Sequence, residues 1–335
     1  MYYKLFNDLL ENTSQNPLYY FLSISNICNA KCKFCDIHEK KEKESKLDVK
    51  EILKDVKNNG GKYIHFTGGG EPLANRKIYE YFEYATLLGL NIVFITNGFF
   101  LTKSNIKKLK KYNIKAIFFS IDSFKSEIHD SIRGVKGIFD IATKAINLIK
   151  NELPNVKIVI NHVLNFENID DFGKFIEMKK TVEYDYLNPI IIKECPEYYF
   201  SKKQIEYYNK NINKFFKNIK KYNIELLYDD INYFEENLYS DNGDDYRKEK
   251  IPCKILKYTL FIDCVSGNVY PCDCSVHRDE DYYAIGNLID NPLNQIIGNK
   301  KYSMLLKELE IECSKCKSKC DNANIYMNKK IYEKK

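Results

Sequence analysis

Glycine and proline are scarce in this 335-residue chain, at 14 and 8 residues. That excludes collagen-like repeats and low-complexity architectures, which depend on them. Long apolar runs are also missing. No stretch approaches the ~18 uncharged apolar residues that a membrane-spanning helix needs. The best apolar windows, 91–95 and 116–119, are strand-sized. The first residues, MYYKLFNDLLENTSQ, carry acids at Asp8 and Glu11 and no basic region leading into an apolar run, so a secretory signal is not expected. The expected setting is cytoplasmic, with no membrane partner and with thiols kept reduced. Arginine is the third scarcity. The 52 basic residues include only four, Arg76, Arg133, Arg247 and Arg278. Base-specific readers of nucleic acid lean on the planar arginine fork. The net charge of +6 is therefore read as a lysine-rich solvated surface, and a nucleic-acid partner is not expected.

What is present is a globular balance, 44% hydrophobic and 29% charged, which excludes a wholly disordered chain. The length corresponds to about two domains at ~150 residues each. Cysteine is the unusual component. There are eleven, with three in 28–35, one at 195 and seven in 253–320. Disulfide scaffolds are short and secreted, and this chain is neither. Clustered cysteines of this kind point to metal.

Residues 19–192 alternate between strand-like and helix-like runs. Strands are expected at 20–25, 63–66, 91–95, 115–121, 157–162 and 185–192, which are rich in Ile, Val, Phe and Tyr. Helical patterns lie between them, over 48–58, 76–88, 103–112 and 169–180. Another runs through Phe139, Ala142, Ala145, Ile146 and Ile149, whose spacing turns one apolar face toward a sheet. Six β-α units with short connections imply a parallel sheet with right-handed crossovers. Six are too few for a closed eight-stranded barrel. The expected class is α/β, a partial (β/α)6 TIM-like barrel over 19–200 after an N-terminal segment, 1–18. A helical pattern over 201–238 and a polar linker at 240–250 form a connection, 201–250. A small cysteine-rich unit follows over 251–335. It holds a hairpin (258–263 and 269–270, with a turn at Ser266-Gly267-Asn268), a helix near 292–309 and a tail from about 321.

The first cysteine cluster, Asn26-Ile27-Cys28-Asn29-Ala30-Lys31-Cys32-Lys33-Phe34-Cys35, follows the first strand directly. Three thiolates in a C-x3-C-x2-C spacing can hold three corners of a cubane [4Fe-4S] cluster. No fourth cysteine lies nearby, and an iron with an open position can bind a small molecule, as an open catalytic zinc does. Half of a zinc site is the alternative, although zinc motifs favour C-x2-C pairs. The segment resembles the signature of the radical S-adenosylmethionine (SAM) enzymes, C-x3-C-x-aromatic-C, with Phe34 as the aromatic. The Gly68-Gly69-Gly70-Glu71-Pro72 turn after the second strand is similar to that family's GGE motif, which contacts the SAM amino group. Glycine lets backbone approach a ligand closely. The resemblance further implies SAM contacts from Asn97 and Ser120, which end the third and fourth strands. It implies a pairing of Arg133 with the SAM carboxylate, for which a guanidinium is well shaped. Asn161 and Leu164, at the end of strand five, fall where the family lines its SAM pocket. Strand C-termini are also where parallel β-α folds bind ligands. The likeness covers 18–195. It implies reductive cleavage of SAM to methionine and a 5′-deoxyadenosyl radical, which abstracts hydrogen from a substrate shielded by the barrel. It also implies oxygen sensitivity and an electron donor such as a flavodoxin or ferredoxin.

The second cluster comprises Cys253, Cys264, Cys272, Cys274, Cys313, Cys316 and Cys320. Cys253-x13-Gly267-x4-Cys272 brackets the hairpin, and Cys313-x2-Cys316-x3-Cys320 lies beyond the helix. Over about 250–321 this resembles the SPASM/twitch extension of radical SAM enzymes, which holds one or two auxiliary [4Fe-4S] clusters. The full SPASM pattern has a longer cysteine run and one more cysteine. The resemblance therefore implies at least one auxiliary cluster, twitch-like, with Cys253, Cys272, Cys313 and Cys316 as ligands and Cys320 competing for the last position. Cys264 and Cys274 are either spare buried thiols or part of a second cluster, and a structural zinc is the alternative. Cys195 is read as structural or pocket-lining. Asp273 directly follows Cys272. The anaerobic sulfatase-maturating enzymes have a Cys-Asp here, which implies a base that takes a proton from the substrate while the auxiliary cluster accepts an electron. An Asp in such a loop also caps its turn. The five histidines show no metal-ligand spacing, and His65 and His162 are expected to be packed in strands.

The function expected is that of a SPASM/twitch-type radical SAM enzyme. It would perform an oxidation or dehydrogenation of a peptide or protein side chain, or of a small molecule such as an aminocyclitol. No separate leader-binding domain is visible before residue 19, which lowers the peptide expectation. Nucleotide or tRNA modification by the same chemistry is the alternative. A non-enzymatic iron–sulfur electron carrier is a third reading, but it leaves the open-iron motif and the glycine turn unexplained.

Overall fold

The computed structural model of the chain describes residues 16–41, 43–192, 195–221, 224–226, 253–276, 280–311 and 328. Six parallel strands form its centre: β1 (Tyr19–Ser23), β2 (Tyr63–Phe66), β3 (Asn91–Thr96), β4 (Ile114–Ser120), β5 (Lys157–Leu164) and β6 (Tyr186–Ile191). They pair in sequence order, so each β-α unit adds one strand to the same edge. β1 and β2 are buried along their whole length because helices cover one face and the barrel interior fills the other. These are the six expected strands, displaced by at most two residues at their ends.

The helices follow their apolar spacing. α1 (Val49–Asn58) buries Val49, Ile52, Leu53 and Val56 on one face, and Asp48 caps it by accepting from the Lys50 amide at 2.9 Å. α2 (Ile78–Leu87) and α3 (Lys103–Leu109) pack in the same way. α4 (Ser126–Arg133) has no counterpart in the sequence reading. Its buried face consists of His129, Ile132 and Arg133, and two of those three count as polar in any periodicity. α5 (Ile138–Glu152) buries Ala142, Ala145, Ile146 and Ile149, as the pattern indicates. The helix expected over 169–180 is mostly a 3-10 segment, Ile169–Lys174, with only a short α6 (Phe175–Met178). Two features work against a full α-helix there. Gly173 lies within it, and the Asn168 side chain is drawn away to the Asp122 carbonyl at 2.7 Å.

α7 (Lys202–Lys221) ends well before 238. A two-residue strand, β7 (Glu225–Leu226), then pairs with β6. The linker reading at 240–250 lies outside the described residues, as does the tail. The expected hairpin forms as β8 (Thr259–Asp263) and β9 (Asn268–Tyr270), followed by β10 (Gly286–Asn287) and α8 (Glu280–Tyr283) between them. Its turn needs Gly267, which has φ +87°, and a Cβ there would meet Asn287 Oδ1 at 2.5 Å. The single helix expected near 292–309 is two, α9 (Leu293–Ile297) and α10 (Lys300–Ile311). Gly298 closes the first, and Asn299 opens the second by accepting from the Tyr302 amide at 2.8 Å.

The hairpin does not stand apart. β8 lies parallel to β1 in register, from Tyr19 opposite Thr259 to Ser23 opposite Asp263. Among the described residues one open sheet of ten strands results, ordered β10-β9-β8-β1-β2-β3-β4-β5-β6-β7.

Candidate active site

The C-terminal ends of β1–β4 open onto a cavity of about 300 Å³. Cys28, Cys32 and Cys35 all line it, from the loop that follows β1. Backbone bonds dock that loop on the end of α4. The Lys31 amide donates to the Arg133 carbonyl at 3.1 Å, and the Lys33 amide to the Ile132 carbonyl at 2.9 Å. These carbonyls are among those a helix C-terminus leaves unpaired. Gly134 ends α4 at φ +66°, and a Cβ there would meet the Lys31 carbonyl at 2.5 Å. Burial pushes the Cys28 thiol up to about 11 and also raises Cys35. Buried thiols become ligands only when a cation stabilises the thiolate.

The Gly68–Glu71 turn forms the opposite wall. A Cβ on Gly69 would collide with Ser23 Oγ, and one on Gly70 with the Ile27 carbonyl. The Glu71 amide donates to that same Ile27 carbonyl at 2.9 Å, so the glycine turn and the cysteine loop are joined. The Glu71 side chain ties the turn to β3. It accepts from the Thr96 hydroxyl at 2.8 Å, the Asn97 amide at 2.7 Å and the Leu73 amide at 3.1 Å. Burial raises its carboxyl to about 7, against the opposing pull of those donors and of Arg133. Ser25 Oγ and Asn29 Nδ2 are buried beside this turn with no partner among the described residues.

Phe34, Asn97, Ser120 and Arg133 also line the cavity, so these expected SAM contacts share one space with the three thiols. Asn161 and Leu164 do not line it. Leu164 is fully buried in the core, and Asn161 accepts from Asn188 Nδ2 at 2.7 Å. Arg133 Nε pairs with Asp122 Oδ2 at 2.6 Å, and its Nη1 donates to Cys32 Sγ at 3.6 Å. Asp122 is a site residue to which the sequence reading gave no role. An acid at a strand end, eleven residues before one of only four arginines, is the one trace in the sequence, and it does not show that the two meet.

Two thiols of the second set lie at the other end of the sheet. Cys272 follows β9 and Cys253 precedes β8, at the end where Thr259 pairs with Tyr19. Cys264 follows β8 at the opposite end, about 16 Å away along a five-residue strand. Cys253 and Cys272 are buried, while Cys313, Cys316 and Cys320 lie outside the described residues. The Asp273 side chain accepts from the amide of the next residue, Cys274, at 3.0 Å, and the short 3-10 turn it opens is capped by Cys272. It is also near enough to the Tyr19 phenol to raise that group further, after burial has raised it most. The Tyr19 hydroxyl bonds His65 Nδ1 at 3.1 Å. Burial lowers His65 to about 3, so the ring is neutral, and its Nε2 has no partner among the described residues. Cys195, read as structural or pocket-lining, packs against the cysteine loop, where its Sγ donates to the Phe34 carbonyl at 3.7 Å.

The donor set fits a cluster that binds an amino-acid ligand. Three soft thiols line one cavity, which is iron–sulfur chemistry. Among the described residues no three Cys, His, Asp or Glu side chains converge on one ion. A cubane does not require that, because each thiolate binds a different iron. The glycine wall lets backbone approach a ligand, and a buried guanidinium is placed to meet a carboxylate. Among the described residues no helix is long and apolar enough to cross a membrane.

Residues 22–178 match the family model of the radical SAM superfamily, and 253–321 match that of the SPASM iron–sulfur cluster-binding domain. An AdoMet-dependent heme synthase of Oleidesulfovibrio alaskensis is 30% identical over 46% of this chain and 40% of its own length. The antilisterial bacteriocin subtilosin biosynthesis protein AlbA of Bacillus subtilis is 30% identical over 40% of this chain and 31% of its own. The chain thus matches less than half the length of these curated relatives. Streptococcus suis SuiB shares the fold. Bound to S-adenosylmethionine it has a TM-score of 0.63 at 18% identity, covering 90% of this chain and 71% of SuiB. Bound to its precursor peptide SuiA the values are 0.61 and 20%, covering 90% and 70%. Radical SAM domains imply a [4Fe-4S] cluster and SAM, and SPASM domains imply auxiliary iron–sulfur clusters. The chain belongs to the radical SAM superfamily and carries a SPASM-type domain.

Proposed function

We propose that the chain cleaves SAM reductively at a cluster held by Cys28, Cys32 and Cys35 and uses the resulting radical to abstract hydrogen from a peptide, protein or small-molecule substrate. The observation that carries this reading is one cavity lined by three thiols, a glycine wall and Arg133. When bound, the cluster and SAM would supply a carbon radical, and an auxiliary cluster on Cys253, Cys272, Cys313 and either Cys316 or Cys320 would supply one-electron acceptance.

The protein's own groups bind and shield. Gly69 and Gly70 present backbone to the SAM amino group. Arg133 meets its carboxylate. Asn97, Ser120 and Phe34 complete the pocket, and Asn161 and Leu164 form the layer behind it. Asp273 takes the proton that the substrate loses on oxidation. Its closeness to Tyr19, which bonds His65 on the inner face, supports access to the barrel interior. A peptide substrate is supported by the likeness to AlbA, and an electron donor of the flavodoxin or ferredoxin kind is needed. The cytoplasm is the proposed setting.

Iron and sulfide quantitation after anaerobic reconstitution tests this reading. Relative to the unsubstituted protein, the Cys28/Cys32/Cys35→Ala variant loses four irons. A residue of four irons then corresponds to one auxiliary cluster and eight to two. Undiminished iron in the variant contradicts the reading.

A further inference from the structure

Arg133 is 8% exposed, and three neighbours fix its plane. Its Nε pairs with Asp122 Oδ2 at 2.6 Å. Its Nη1 donates to Cys32 Sγ at 3.6 Å. Its Cζ sits 5.8 Å over the ring of Phe34, which lies between Cys32 and Cys35 in the chain. We propose that Arg133 tunes the cluster electronically, as an N–H donor to the Cys32 sulfur that raises the cluster's reduction potential, and that Asp122 is the positioning residue holding it there. The proposal rests on the reading of Cys32 as a cluster ligand.

Asp122 is fully buried, and its amide, its carbonyl and its Oδ1 each have a hydrogen-bond partner. Oδ1 accepts from the Val163 amide at 3.1 Å. Its amide donates to His129 Nδ1 at 3.1 Å, and its carbonyl accepts from Asn168 Nδ2 at 2.7 Å. Oδ2 is left for the guanidinium. The nearby rings do not compete for that carboxylate as cations, because burial and the charge of Arg133 keep His129 and His162 neutral. Only a planar fork can hold Asp122 on one nitrogen and reach Cys32 with another. The remaining N–H groups stay available to the cavity that Arg133 lines. An N–H bond to a ligating sulfur withdraws negative charge from it, and a fixed cation favours the more negative reduced state. Both effects raise the potential.

The sign of one substitution separates positioning from bulk electrostatics. Asp122→Asn removes a negative charge. If Arg133 stays in place, the potential must rise. If Asp122 holds Arg133 on the sulfur, it must fall. The experiment is an EPR-monitored redox titration of the full reconstituted chain without SAM, following the signal that disappears in the Cys28/Cys32/Cys35→Ala variant. Arg133→Gln is expected to lower the midpoint so that the reduced fraction ratio at the wild-type midpoint drops about tenfold, a shift of about 59 mV for one electron. Arg133→Lys keeps the charge without the fork and is expected to fall as well, and Asp122→Asn falls with iron content unchanged. A raised or unmoved midpoint in iron-replete Asp122→Asn, or an Arg133→Lys midpoint equal to wild type, overturns the proposal. Should Asp122→Asn not retain iron, Arg133→Lys decides alone. If no signal depends on the three cysteines, the cluster reading itself fails, an outcome distinct from a failed shift.

Discussion

Glu71 is the residue whose environment has the most direct consequence. Folding raises its carboxyl from 4.5 to about 7. In this window the unfolded chain loses its proton while the fold retains it. The stabilising contribution is therefore full below pH 4.5 and is lost as pH rises to about 7, by about 3 kcal/mol in all. Thermal unfolding of the metal-free protein should show Tm falling between pH 5 and 7 and a flatter profile for Glu71→Gln. An equal slope in both would contradict the assignment. Gly70 yields a second residue-scale outcome. Its Cβ would collide with the Ile27 carbonyl, which is backbone and cannot swing aside. Gly70→Ala should retain iron but bind SAM about tenfold more weakly, a loss of about 1.4 kcal/mol, in equilibrium dialysis. At this scale the thiols and glycines were legible because spacing and the lack of a side chain carry their chemistry. The Asp122–Arg133 pair was not, because it depends on α4 folding back over the end of β4.

Among the elements, α4 shows why a helix can be functionally central and silent in sequence. Its interior side is completed by His129 and Arg133, which pack and bond instead of repeating an apolar letter. It also caps its neighbour. Asp130 accepts from the Phe139 amide at 3.0 Å and from the Gly137 amide, supplying α5 with the cap that Gly137 lacks. Asp130→Ala should cost about 1 kcal/mol, read as a lower Tm. By contrast, α5 and the six central strands were readable because one long periodic face or a run dense in β-branched and aromatic residues decides them alone. The split of the 292–309 helix turned on the Gly298–Asn299 boundary, where a stop and a new cap adjoin within two residues.

At the scale of the whole molecule, one sheet joins the 28–35 loop to Cys253, Cys264 and Cys272. β8 covers the edge of β1 that would otherwise expose a row of unpaired backbone groups, with Tyr19, Tyr20, Phe21 and Leu22 buried beneath it. A chain truncated after residue 226 should therefore be insoluble or aggregate, as size-exclusion chromatography would show. This continuity was not legible from composition, which marks where character changes and not which strand pairs with which. The parallel register also sets the thiols of 28–35 beyond the C-terminal end of β1 and Cys253 and Cys272 toward the other, so the barrel interior lies between the two proposed clusters. The claim on which the account depends is that the 28–35 site turns over SAM. The direct measurement is 5′-deoxyadenosine formed by the reconstituted, dithionite-reduced protein. The account predicts its formation by the wild type and its loss in the Cys28/Cys32/Cys35→Ala variant. A cluster-replete wild type that forms none, or a variant that forms it undiminished, would contradict it.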